Sequence, residues 1–133
     1  MPTFFQRLGL VFGIYYDRMA VDDPKTVDVV SVDRATSEVI LDVTDHLDWS
    51  DEAGHLMFLQ NKINAYASFI ESGELETAYP DAKGRQPVIH VACMNEPPPL
   101  AVRFFDRVRD ILQPAGIRFS YRHSHFNSPS KSI

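Results

Sequence analysis

From Glu38 to Thr44 the chain alternates, with Val39, Leu41 and Val43 on one phase and Glu38, Ile40, Asp42 and Thr44 on the other. A period of two puts successive side chains on opposite faces, so the stretch predicts a strand with one buried face. Val27 to Asp33 predicts a second strand, and the four residues Arg34 to Ser37 between the two are short enough for a hairpin. The period then changes. From about Trp49 to Glu74, Leu56, Leu59, Ile63, Tyr66 and Ile70 recur at helical spacing. Asp48 or Ser50 is the expected cap, with Asp51 and Glu52 in a first turn that suits the positive end of the helix dipole. Phe58, Ala65 and Phe69 add a second apolar stripe, wider than one sheet face covers. Phe58 and Phe69 are therefore candidates for contact with an N-terminal helix or another subunit.

The turn residues Pro80, Asp81 and Gly84 interrupt the chain before Pro87 to Met94, a strand apolar on both faces and so expected at the centre of a sheet. Pro97, Pro98 and Pro99 open a second helix. Ala101, Phe104, Phe105, Val108, Ile111 and Leu112 take one side of it and Arg103, Asp106, Arg107 and Asp110 the other, before Pro114 and Gly116 end it. In the last strand, Ile117 to Arg122, Ile117, Phe119 and Tyr121 point inward and Arg118, Ser120 and Arg122 outward.

The order ββαβαβ, with right-handed crossovers, gives an α+β fold of two layers: a four-stranded mixed sheet with two helices on one face. The other face would carry Asp42, Thr44, His90, Arg118 and Arg122. Residues 27–122 form the expected domain. Residues 1–20 form an N-terminal extension, in which Phe4, Phe5, Leu8, Val11, Phe12 and Tyr15 suggest a short amphipathic helix, too short to cross a bilayer. Gly9 and Gly13 cut this run and no small-residue cleavage site follows it, which disfavours a signal peptide. Residues 123–133 have the composition of a flexible tail.

At 133 residues the chain is one domain with enough material for a core. Its one cysteine, Cys93, excludes an intramolecular disulfide framework and fits a reducing cytoplasm. Charge is divided unevenly. Residues 27–81 hold twelve acidic side chains against two basic, a net of −10, while residues 82–133 hold eight basic against three acidic, a net of +5. The total of −5, and the lack of a basic run with interleaved aromatics, disfavour nucleic acid as a partner. The acidic stretch suits steering of a basic protein partner.

Phosphate-loop, dinucleotide, nucleophile-elbow and HExxH motifs are missing from the sequence, and no cofactor or metal is expected. The densest polar cluster is Asp45, His46, Asp48, Asp51 and His55 at the mouth of the long helix. Asp51 and His55 lie four apart on one helical face, a spacing that serves a divalent ion or a carboxylate-oriented histidine base. Helix capping by the aspartates and a local pairing of His55 explain the same cluster without any chemistry. His90, Arg118 and Arg122 are candidates for holding a phosphate or carboxylate on the open sheet face. Pairing of the arginines with Asp42 or Glu38 is the plainer alternative. Lys83, Gly84 and Arg85 are explained by a tight turn, and Cys93 by a buried, inert thiol.

The run from Asp42 to Arg85 resembles a family of small uncharacterised bacterial proteins, a domain of unknown function. The likeness rests on DHLDW (Asp45 to Trp49), a helix ending in FIESGE (Phe69 to Glu74) and YPDA (Tyr79 to Ala82), and extends from about Val27 to Tyr121. The resemblance implies a single cytosolic α+β domain and supplies no activity. The expected function is that of a small non-enzymatic protein acting through protein–protein contact, as a homodimer or by masking a basic partner as immunity and antitoxin proteins do. Asp48, Phe58 and Phe69 are candidate contact residues. The alternative is a metal-assisted hydrolase or anion-binding enzyme with Asp45, His46, Asp51 and His55 at its centre.

Overall fold

The computed structural model describes residues 29–123. Strands β1 (Val29–Asp33) and β2 (Glu38–Asp45) form an antiparallel hairpin. Its turn is built by Asp33, whose Oδ1 accepts the amides of Ala35 and Thr36, and by Ser37, which takes φ 59°. Helix α1 (Glu52–Glu71) carries the chain to the short helix α2 (Glu74–Ala78) and a 3-10 turn, Pro80–Ala82. Strand β3 (Gln86–Cys93), helix α3 (Pro99–Leu112) and strand β4 (Arg118–His123) complete the domain. The sheet order is β1-β2-β3-β4, with β2, β3 and β4 mutually parallel. Each parallel pair needs a crossover. Two right-handed crossovers that advance in the same direction place α1 and α3 on the same face. The α+β class and the four-stranded mixed sheet expected from the sequence are therefore present.

Alternation decides which side chains meet. Val39, Leu41 and Val43 on β2, Ile89 and Val91 on β3, and Phe119 on β4 are buried against Leu59, Ile63, Tyr66, Phe105, Val108 and Leu112 of the helices. Each aliphatic side chain so enclosed contributes roughly 1.5–3 kcal/mol. Phe105 anchors the α3 side, with its ring 4.3 Å from that of Tyr121 and 5.8 Å from that of Phe119. Tyr66 is fully buried and its hydroxyl donates to the Asp42 carbonyl at 3.2 Å, tying α1 to β2. β3 is central, as its two apolar faces require, and even Val88, on its outward phase, is buried.

The boundaries of α1 correct the sequence reading. The helix starts at Glu52 rather than Trp49, and its cap is Asp51, not Asp48 or Ser50. Trp49 lies in the loop before the helix. At the other end Gly73 takes φ 91°, a left-handed conformation that ends α1 two residues earlier and lets α2 start in a new direction. β4 runs through His123, so that residue belongs to the sheet. The expected N-terminal helix and the tail from Ser124 onward lie outside the described residues. Among the described residues no helix is long and apolar enough to cross a membrane.

Candidate functional site

The loop between β2 and α1 is HLDWS, residues 46–50. Asp45, the last residue of β2, points toward the helix layer by the same alternation that buries Val43. His55 reaches it from the first turn of α1. Its Nε2 lies 2.8 Å and 2.7 Å from the two carboxylate oxygens, and its Nδ1 lies 2.9 Å from the Asp48 carbonyl. A carbonyl only accepts, so Nδ1 carries a proton, and a second proton lies between Nε2 and the carboxylate. Both side chains are enclosed, at 2% and 1% exposure. Trp49 closes the pair from above, its ring stacked on that of His55 at 3.5 Å and 16°.

This corner is stitched to the loop that follows β3. The Asp45 carbonyl accepts the Met94 amide at 2.9 Å. Trp49 Nε1 donates to the Asn95 carbonyl at 3.3 Å, and Asn95 Nδ2 donates to the Leu47 carbonyl at 3.0 Å. Asp45 Oδ1 also accepts the Leu47 amide. Asp48 and Asp51 are used locally. Asp48 Oδ1 accepts the Ser50 amide and hydroxyl at 3.0 and 2.7 Å, and these bonds hold its carboxyl below the ordinary value, with the nearby His55 acting in the same direction. Asp51 Oδ1 accepts the Gly54 amide at 3.0 Å, the capping bond of α1.

Of the cluster at the helix mouth, the structure thus brings together Asp45 and His55, turns Asp51 toward the backbone and leaves His46 and Asp48 exposed. With both ring nitrogens engaged and the carboxylate enclosed, the pair holds a corner and has no side open to a substrate. Among the described residues no group of three or more His, Cys, Asp or Glu side chains is placed to hold a metal ion. Cys93, next to Asp45 in the sheet register, is fully buried, and burial first, then the Asp45 charge, pushes its thiol up to about 12.

The second candidate group lies on the sheet face away from α1 and α3. Asp42, His90 and Ser120 occupy one row across β2, β3 and β4, and Thr44, Ala92 and Arg122 the next. His90 Nδ1 and the Ser120 hydroxyl are 2.7 Å apart. Partial burial lowers the His90 pKa, the Arg122 charge adds to this, and Asp42 opposes it. Arg118 bonds Glu38 across the width of β3, the plainer pairing that the sequence allows. Arg122 is exposed and makes no ion pair among the described residues. His90 and Arg122 are thus near neighbours, while Arg118 is drawn away toward Glu38.

Elsewhere, Arg85 donates to the Asp81 carbonyl and Arg34 pairs with the Asp81 carboxylate at 2.6 Å, so the KGR turn is tied back to the hairpin. Phe58 and Phe69 are half-buried on one flank of α1. Sequence reasoning missed Asn95 and Ser120. Neither lies in a motif, and only strand register brings Asn95 to Trp49 or Ser120 to His90. The model of a family of unknown function, DUF6572, matches residues 19–125, a span that takes in every described residue and the DHLDW corner. No curated protein and no solved structure matches the chain.

Proposed function

We propose that this chain, which belongs to the DUF6572 family of unknown function, is a small non-enzymatic cytoplasmic protein that works by protein–protein contact, docking a basic partner on the corner formed by the two loops beyond β2 and β3. The observation that carries this reading is the mutual locking of those loops. Trp49 with Asn95, Asn95 with Leu47, and the Met94 amide with the Asp45 carbonyl fix their relative position before any partner arrives. Asp48 and Asp51 stand exposed at the first loop, and Met94, 37% exposed, and Glu96 at the second. Loops already held in one arrangement lose little conformational freedom on binding, and acidic side chains around an apolar centre suit a basic protein with an apolar contact of its own. An immunity- or antitoxin-like masking of a basic protein is the partnership with this chemistry.

The acidic stretch from 27 to 81 does not form a single surface. Asp48, Asp51 and Glu52 lie at one end of α1 and Glu71, Glu74 and Glu76 at the other, roughly 30 Å away along a twenty-residue helix. The docking reading therefore concerns the first group. The same reading keeps residues 1–20 as a helical extension of the domain, with no nucleic-acid or membrane partner.

The test is affinity capture from lysate of the native host, with the full chain at low and moderate salt, alongside a D48K/E96K variant. A stoichiometric basic protein that is released by salt and lost with the charge-reversed variant supports docking at the corner. Recovery of the bait alone, or a partner held equally well by the variant, overturns it.

A further inference from the structure

The helix layer has a seat with no described element in it. α1 packs on β2 and β3, with α2 and α3 as its neighbours. Leu56, on one side of α1, shares a groove with Leu100 and Phe104 of α3. At 100° per residue, Phe58, Lys62, Ala65 and Phe69 lie on the opposite side, over the β1 edge of the sheet. Below that flank, Val30 and Val32 of β1 face the helix layer, paired with Leu41 and Val39 and half-buried. Strands lie about 4.8 Å apart, so β1 runs roughly 7 Å to the side of a helix centred over β2 and β3. Neighbouring helices pack at about 8–10 Å, so a helix laid beside α1 would come down on Val30 and Val32. The flank is not a wet one. Lys62 is 5% exposed and Asn61, further round on the side away from the sheet, is 6% exposed.

We propose that this seat is filled in cis by the chain's own N-terminal segment, residues 3–16, docked as a further helix against Phe58, Phe69, Val30 and Val32. Two observations choose this occupant. The 28 residues before Val29 lead directly into β1, the strand that floors the seat, and within them Phe4, Leu8, Val11, Phe12 and Tyr15 recur at helical spacing. The intervening residues 17–28 span up to about 40 Å when extended, while a fourteen-residue helix is about 21 Å long, so the segment reaches the seat in either direction. A tether of this length holds the segment near the seat at an effective concentration of order millimolar, well above that of a second copy. The proposal uses the helical extension of the reading above and not its partner, so capture and the measurement below fail independently.

The test is hydrogen exchange of the full chain, followed by mass spectrometry at two concentrations a hundredfold apart. The expected result is that amides of residues 3–16 exchange at least about tenfold more slowly than an unstructured chain, equally at both concentrations. L8D/F12D is expected to remove that protection while β3 stays protected, and F12L to retain it. F12S serves as the milder variant should β3 also open in L8D/F12D. Exchange at the unstructured rate, protection found only at the higher concentration, or protection that survives the aspartates with β3 intact each overturn the proposal. The second of these would assign the seat to another copy of the chain.

Discussion

Asp45 and His55, ten positions apart in the chain, meet through two contacts of 2.8 and 2.7 Å at the junction of β2 and α1, sealed under the ring of Trp49. Removing one partner strands the other in a dry site, which costs far more than the pair itself contributes. D45A and H55A are each expected to lower the free energy of unfolding by about 3–5 kcal/mol in urea titrations. The apolar double variant D45L/H55F is expected to lose less than either single change. Single variants within about 1 kcal/mol of the parent would show the pair to be hydrated and replaceable.

Gly54 is bound to the cap of its own helix. A Cβ at this position would stand 2.3 Å from Asp51 Oδ2 and 2.9 Å from its Cγ, so alanine pushes the capping carboxylate away. Alanine ordinarily gains up to about 1 kcal/mol over glycine inside a helix, and loss of an aspartate cap costs about 1 kcal/mol. G54A is therefore expected to be neutral or destabilising in the parent and stabilising in a D51A background. A double-mutant cycle by chemical denaturation reads the change of sign directly.

Stability in mild acid carries the mark of His90. Burial, with Arg122 adding to it against Asp42, keeps its folded pKa below the ordinary 6.5. The unfolded chain then takes up a proton near pH 6.5 that the folded chain does not yet bind. The contribution is present above pH 6.5 and is lost as pH falls through the lower folded value. H90Q is expected to flatten the fall in melting temperature below pH 6.5 relative to the parent. Parallel curves would mean that His90 is freely solvated in the folded protein.

Cys93 gives the opposite sign at the other end of the scale. Its thiol is pushed up to about 12 from an ordinary 9.0, so the unfolded chain loses its proton first. The stabilisation is whole below pH 9 and is lost as pH rises toward 12. At pH 8 the native protein is expected to be inert to a thiol-specific dye and to label fully in denaturant, while C93A removes the alkaline fall attributed to the thiol. Rapid labelling of the native state would contradict the burial.

The fold was legible wherever one residue type repeated on one period. The alternation of Val39, Leu41 and Val43 gave β2 its inward face, and the outward phase of β4 placed Arg118 where Glu38 reaches it. The start of α1 was not legible, because Asp48, Ser50 and Asp51 are all good caps. What separates them is the bond each makes: Asp48 and Ser50 bond to each other in the loop, whereas Asp51 accepts the Gly54 amide of the first helical turn. The site reading was partial for the same reason. Spacing grouped Asp51 with His55, whereas the carboxylate that His55 meets is Asp45, which only the end of β2 delivers. Asn95 carried no sequence signal, since its partners Leu47 and Trp49 lie more than forty positions upstream.

The sequential strand order has a consequence for how the chain is made. Val88 pairs with Ile40 before it and with Arg118 after it, so β2, β3 and β4 each join a neighbour that has already left the ribosome. No strand waits for a later one to be inserted beside it, and the growing sheet has a single advancing border that passes from β2 to β3 to β4. The domain is therefore suited to fold vectorially during synthesis. A chain stalled between Cys93 and Arg118 would carry the unpaired border of β3, with its apolar flanks, as the edge that quality control meets.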